Sequence, residues 1–234
     1  MSNSNYGVMN AMVDIIASPS RAWDEIYEHT GWLWVPLLLV IVFTSAAFTY
    51  FYLWVDYEWF VEDIILGMPA ETRAEAAPGV RQFMSPTFSI GSTVLAVVFM
   101  TVIINLILAA YYLLASKIAT SGDINYGRWF SLSAWAGFPA IFTALAMFVV
   151  ILLADSNQVS QAELSPLSLN ALFVHAETGE PWFTWASSLN LVMFWNIFLA
   201  GLGFARWTAS SLLKGLIVST LPFLLIFGIW AAAI

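Results

Sequence analysis

Apolar residues in this chain run in long blocks, with neither the alternation of a strand nor the single apolar stripe of a soluble helix. Five such blocks cover residues 32–55, 88–116, 129–154, 183–205 and 211–234. They carry no charged side chain except Lys214, near the start of the fifth. A bilayer crossing needs ~20 apolar residues at 1.5 Å each, and each block meets that length. One charge at the centre of a span costs ~2.5–3.5 kcal/mol, so charge-free blocks of this length are selective evidence for insertion. Lys214 lies close enough to an interface for its amine to reach water. Backbone groups in lipid need internal partners, which leaves helices or a closed barrel, and barrel strands would alternate. The pattern predicts an all-α, polytopic integral membrane protein: a bundle of five transmembrane helices over residues 32–234.

The first 31 residues predict cytoplasmic helices lying along the interface. Val8, Met12, Ile15 and Ile16 share one helical face ahead of Ser18-Pro19, a pairing that fits an N-cap and first-turn proline. The helix that follows brings Trp23, Ile26 and Tyr27 together. Two long polar loops, 56–87 and 155–182, interrupt the apolar blocks. In the first of them residues 56–66 predict a short helix with Trp59, Phe60, Ile64 and Ile65 toward the membrane.

Charge then gives an orientation. Arg21, Lys117, Arg128, Arg206 and Lys214 fall on one side of the five spans, and only Arg73 and Arg81 on the other. The positive-inside rule puts the N-terminus in the cytoplasm and the C-terminus outside. Composition agrees with insertion: 61% of residues are hydrophobic and 9% charged, against about 25% charged in a soluble domain. A net charge of −8 argues against nucleic acid as a partner. Many of the 12 tryptophans sit at block ends, as an interfacial belt requires.

Candidate chemistry is sparse. The absence of cysteine removes disulfides, thiolate sites and thiol nucleophiles. No phosphate loop, dinucleotide fingerprint, HExxH or GxSxG string is present. His29 and His175 fall on opposite predicted sides, so they cannot share a metal. The sequence therefore predicts no catalytic residue, no cofactor and no metal site.

Three groups of residues stand out instead. Asn105, Asn190 and Asn196 are the main polar side chains within the spans, fit either to line a path or to hydrogen-bond between helices. Gly201 and Ala205, with Ser211, Gly215 and Ser219, place small residues four apart on the last two spans, as close helix packing needs. Trp23, Asp24, Asp123, Arg128 and Trp129 gather on the predicted cytoplasmic face as a candidate docking surface. There, Gly122 and Gly127 predict a sharply turning loop.

The segment SPSRAWDEI (residues 18–26) resembles the opening of bacterial Yip-domain proteins, the Ypt/Rab-interacting family. The loop SGDINYGRWFSLSAWAGFP resembles that family's approach to its third span, with Gly122, Tyr126, Phe130, Trp135 and Pro139 at matching places. Residues 167–203 match most closely, through LSLNALF, GEPWF, Trp195, Leu199, Gly201 and Gly203. The resemblance implies a five-span Yip fold with a cytoplasmic N-terminus. It departs at Asn190, where many relatives carry Asp, and in the short stretch before the first span, which fits a prokaryotic-type member. Residues and resemblance together lead us to expect a non-enzymatic inner-membrane protein that associates with membrane lipid and with another membrane or cytoplasmic protein. The small-residue pattern leaves a homo-oligomer open without indicating one. A small transporter or channel for an uncharged solute or lipid is the alternative.

Overall fold

Prolines and capping side chains set where the helices begin. Pro19, Pro86 and Pro181 each occupy the first turn of a helix, where the missing N–H has no partner to lose. Asp56 and Asn125 cap two others, accepting from the N–H of Trp59 at 3.2 Å and of Arg128 at 3.0 Å. Ser18 holds the cap position of its helix, but its carbonyl, not its hydroxyl, accepts from Arg21 and Ala22.

The computed structural model describes residues 6–119 and 123–234. In chain order the helices are α1 (Val8–Ala17), α2 (Pro19–Glu28), α3 (Trp34–Trp54), α4 (Tyr57–Leu66), α5 (Ala70–Phe83) and α6 (Pro86–Ala119). They continue as α7 (Tyr126–Ala136), α8 (Ile141–Leu153), α9 (Pro181–Ser188), α10 (Leu191–Trp207) and α11 (Leu212–Ala233). Short 3-10 turns at Thr30–Leu33 and Phe138–Ala140 lead into α3 and α8, and a π turn spans Asn170–Val174.

Four stretches are long and apolar enough to cross a membrane among the described residues: Thr30–Trp54, Pro86–Ile118, Tyr126–Leu153 and Leu212–Ala233. Their outward side chains are apolar, as with Leu95, Phe99 and Ile107 on α6 and Leu224, Ile226 and Ile229 on α11. So much exposed hydrocarbon on one chain calls for lipid around it. The block at 183–205 is not one helix, contrary to its reading as a single span. α9 ends at Ser188 and α10 starts at Leu191, with Leu189 extended between them. The cause is backbone pairing: Leu169 N–H donates to Leu189 O at 2.7 Å and Leu191 N–H to Leu167 O at 3.0 Å. With 17 residues, α10 is about 25 Å long, somewhat short of a ~30 Å hydrocarbon layer.

Two compact units divide the chain. The first takes residues 1–41, 99–140 and 192–233. Its interior is aromatic: Trp23, Trp129, Trp135, Tyr112 and Phe204 are buried, and Trp129 stacks on Phe204 at 5.3 Å. Such pairs add about 0.5–1.5 kcal/mol beyond the area they bury. The second unit takes residues 42–98 and 141–191 with Ile234. Its core joins Phe51 and Tyr52 of α3, Phe60 of α4, and Met147 and Ile151 of α8. α4 therefore turns Phe60 and Ile65 into protein, with Trp59 and Ile64 packed beside them, and not toward lipid as the sequence had implied. Val61 and Ile65 pack on Ala77 of α5, and Glu62 grips Arg81 with two bonds of 2.6 and 2.8 Å.

Candidate functional site

The three asparagines separate in the structure. Asn190 is not on a helix: it forms an isolated antiparallel bridge with Ser168, in the break between α9 and α10. Asn105 and Asn196 both line one cavity of about 290 Å³ in the first unit. Neither amide is idle there. Asn105 donates to Thr101 O at 2.8 Å, one turn back, and accepts from the Ser133 hydroxyl at 2.7 Å. Asn196, with its amide turned as its surroundings demand, donates to Ala136 O at 3.1 Å and Val192 O at 3.2 Å.

The contact with Ala136 O has a backbone cause. The 3-10 turn at Phe138–Ala140 ends the α7 ladder, and Ala140 N–H goes to Gly137 O, not to Ala136 O. A carbonyl freed in an apolar span needs another donor, and Asn196 supplies it. The same logic holds at Pro222, inside α11, which has no N–H to give to Val218 O. The Tyr111 hydroxyl donates to that carbonyl at 2.7 Å. Sequence reading had passed over Tyr111, although a hydroxyl within an apolar helix and a mid-span proline are each visible signals.

Small residues draw α10 and α11 together. A side chain at Gly215 would run into the carbonyl oxygen of Gly201 and come within 2.9 Å of the Ala205 methyl. One at Gly201 would meet Ser219 Oγ at 2.7 Å and Leu216 Cα at 3.0 Å. Ser211 stands apart from this contact: it is exposed, and its hydroxyl accepts from Lys214 N–H at 3.3 Å as a cap.

The candidate docking residues divide between core and surface. Trp23 and Trp129 are fully buried, so neither can present itself to a partner. Trp23 packs where a side chain at Gly203 would lie, and both tryptophans meet the Trp207 ring, at 5.5 and 5.9 Å. Large aromatics at helical spacing ahead of a span mark core here, not surface. Asp24 is exposed and takes both arms of Arg206, at 2.8 and 2.5 Å. Arg128 donates to the Tyr27 hydroxyl at 2.9 Å and lies 4.0 Å from the centre of that ring. Asp123 is exposed; Gly122, on which the turning-loop reading partly rested, lies outside the described residues.

Charge divides sharply between the units. Arg21, Lys117, Arg128, Arg206 and Lys214 all belong to the first, matched by Asp14, Asp24, Glu25, Glu28 and Asp123. The second unit has Arg73 and Arg81 against ten carboxylates, so the whole formal charge of −8 falls there. The Arg81 guanidinium holds the Glu62 carboxyl below its ordinary range, while burial and the neighbouring Glu163 raise that of Asp63. Among the described residues no three of His, Asp and Glu gather closely enough to hold a metal ion.

The sequence matches the family model described as Yip1 domain over residues 13–233, nearly the whole chain. Neither a curated protein nor a solved structure matches it. With helices of this length and apolarity and a match over nearly the whole chain, the chain is an all-helical membrane protein that belongs to the Yip1-domain family.

Proposed function

We propose that this protein crosses a cell's inner membrane five times and acts by associating with protein or lipid, not by catalysis. The observation that carries the reading is the use of its intramembrane polar groups. Asn105, Ser133, Asn196 and Tyr111 are all bonded to one another or to backbone carbonyls. A solute path needs polar atoms turned toward the solute, and ion or proton paths usually carry intramembrane charge. Here these four side chains repair or join the helices. The fifth crossing is assigned to α10 with help from α9. The five basic residues of the first unit support a cytoplasmic N-terminus and an outer C-terminus.

The docking surface, freed of Trp23 and Trp129, reduces to Asp24, Arg206, Asp123 and Arg128. Its partner is a cytoplasmic or membrane protein, or lipid headgroups; nucleic acid is not one. Crosslinking in native membranes followed by mass spectrometry tests this. Paired Asp24→Ala and Asp123→Ala substitutions leave every Lys and Arg in place and touch no buried side chain. Loss of crosslinked partners in a normally inserted variant is the expected result; an unchanged set overturns the docking surface. One observation favours the alternative of a small transporter: an apolar cavity of about 290 Å³ beside Asn105 and Asn196. Movement of an uncharged solute or lipid across vesicles holding only this chain would decide for it.

A further inference from the structure

The second unit holds a cavity of about 760 Å³, within the range of sites for small organic molecules. The C-terminal end of α4 forms one wall, the loop at residues 160–165 another, and Thr178 with α9 the rest. These pieces fit one another closely. A side chain at Gly67 would stand 3.2 Å from the Thr178 methyl, so the loop before α9 rests on the end of α4. Arg73 of α5 reinforces that end by donating to Leu66 O and Met68 O at 2.6 and 2.8 Å, and is not itself a lining residue.

Among the described residues one charged side chain lines this cavity, that of Asp63. The residue is partly buried, and its carboxylate makes no hydrogen bond or ion pair with a described residue. Burial and the nearby Glu163 carboxylate raise the Asp63 carboxyl above its ordinary range. A carboxylate drawn out of water without a partner is costly. Elsewhere this unit avoids that cost. Asp56 accepts from Trp59 N–H and the Gln158 amide, Glu62 from Arg81, and Glu163 from Ser160.

The other polar side chains of the wall are neutral. Ser160 is committed to Glu163, while Gln161, Ser165, Thr178 and Ser187 make no side-chain bond to a described residue and each offers an accepting oxygen. Ile64, Leu66 and Phe183 add apolar surface. An anion meets no Lys, Arg or His among the described residues of this wall. A calcium-like ion takes six or more oxygens, several of them charged, and no three acidic or His side chains gather among the described residues. A neutral polyol would satisfy the hydroxyls and leave the carboxylate unpaired. An alkylammonium answers every feature: its N–H groups donate to the carboxylate and the neutral oxygens, and its stem covers the apolar wall. The net −8 of this unit concentrates such cations around it. We infer that this cavity binds a soluble primary amine in its ammonium form, with Asp63 as the counter-ion.

The test uses the full chain in phosphatidylcholine nanodiscs, which contain no primary amine, with empty discs as the blank. Butylamine, butanol and butyrate are titrated at neutral pH and followed by saturation-transfer NMR of the ligand. Saturable binding of butylamine is expected, with butanol and butyrate weaker by about tenfold or more. Asp63→Asn should weaken butylamine by about tenfold or more, the worth of one charge-assisted hydrogen bond. Asp155 is exposed and does not line the cavity. Asp155→Asn removes the same charge from the same unit and should leave the affinity within about twofold, as a screened surface charge does. Should Asp63→Asn disturb the fold, Ser187→Phe carries the test: it adds a ring to the cavity wall, keeps Asp63 and should abolish binding.

Butanol bound as tightly as butylamine, equal losses in Asp63→Asn and Asp155→Asn, or binding that survives Ser187→Phe overturns the inference. So does a parent protein that shows no saturable binding. The same titration in discs containing phosphatidylethanolamine separates a soluble amine from a lipid headgroup. Unchanged affinity is expected; competition by that lipid gives the site to the headgroup and overturns the soluble source. The docking residues Asp24, Asp123, Arg128 and Arg206 belong to the first unit. Loss of amine binding therefore leaves the association reading standing, and loss of that reading leaves the amine site.

Discussion

At Gly215 the missing side chain is what lets two helices touch. A Cβ there would enter the Gly201 carbonyl, which is backbone and cannot swing aside. Gly215→Leu should therefore cost more than the ~1–3 kcal/mol of ordinary overpacking, and its melting temperature in detergent should fall well below that of Ile226→Leu, which faces lipid. Equal melting of the two variants would show that α10 and α11 part without consequence. Tyr111 offers a subtler case. Tyr111→Phe keeps the ring but leaves Val218 O, freed by Pro222, without its donor. An unsatisfied buried polar group costs about 1–3 kcal/mol. The Tyr111→Phe variant should thus melt earlier, and combining it with Pro222→Ala, which restores a backbone N–H, should recover most of the loss. If the double variant is no more stable than Tyr111→Phe alone, the hydroxyl serves something other than that carbonyl. Gly215 was legible in the sequence because small residues at a spacing of four have one common use. Tyr111 was not, because its partner lies 107 residues away and no sequence spacing joins its hydroxyl to the carbonyl that Pro222 frees.

Among whole elements, the apolar blocks at 32–55, 88–116, 129–154 and 211–234 foretold helices because uncharged length carries the signal by itself. The block at 183–205 misled for the same reason. Hydropathy does not see that Leu189 and Leu191 pair with the backbone of Leu167 and Leu169, a contact made by a loop some twenty residues earlier. The α4 helix was legible, capped by Asp56 as its sequence allows, but its apolar face was assigned to lipid and lies on Phe51 and Tyr52. Amphipathicity says that a face is buried, not against what. The α4–α5 pair also makes a pH prediction. Arg81 lowers the pKa of Glu62, so this pair supports the helices fully above the ordinary carboxyl value of 4.5 and fades as pH falls through the lowered one. Asp63, raised by burial and by Glu163, has the opposite sign: its protonation is favoured in the folded state, and acid relieves it. Hydrogen exchange of α5 amides, corrected for intrinsic rates, should show protection falling with acid in the parent protein. In Glu62→Gln protection should start lower at neutral pH and change little, or rise, on acidification. Parallel acid profiles in the two proteins would remove the Glu62–Arg81 pair as the cause.

For the molecule as a whole, membrane class and family were legible, since a chain that is 61% hydrophobic with 9% charge has few other fates. The interior was less so. Trp23 and Trp129, read as a surface, fill the core of the first unit, because interfacial and buried tryptophans look alike in one sequence. That reassignment changes how orientation is best tested. The chain has no cysteine, so single cysteines report sidedness without background. Asn125 caps α7 through Arg128 N–H, and replacing it would loosen the helix it reports on. Asp123 is exposed and outside any helix, and Thr178 is exposed in the loop before α9. Asp123→Cys should react with a membrane-impermeant maleimide only in inverted vesicles or opened cells, and Thr178→Cys only in intact ones. The expectation follows from where charge lies: Lys117 and Arg128 flank Asp123 in the sequence, and Thr178 belongs to the unit that carries the net −8. Lys and Arg set orientation, while carboxylates carry little weight, so the acidic unit does not by itself fix the outside. Reversing the bias is the stronger test. Moving basic residues to the acidic side, by Glu177→Lys and Glu180→Lys with Arg128→Gln and Arg206→Gln, should produce a mixed population in which both cysteines react from both faces. If sidedness is unmoved by that reversal, orientation is set by something other than charge, and the assignment of Asp24, Asp123, Arg128 and Arg206 to a cytoplasmic docking face falls with it.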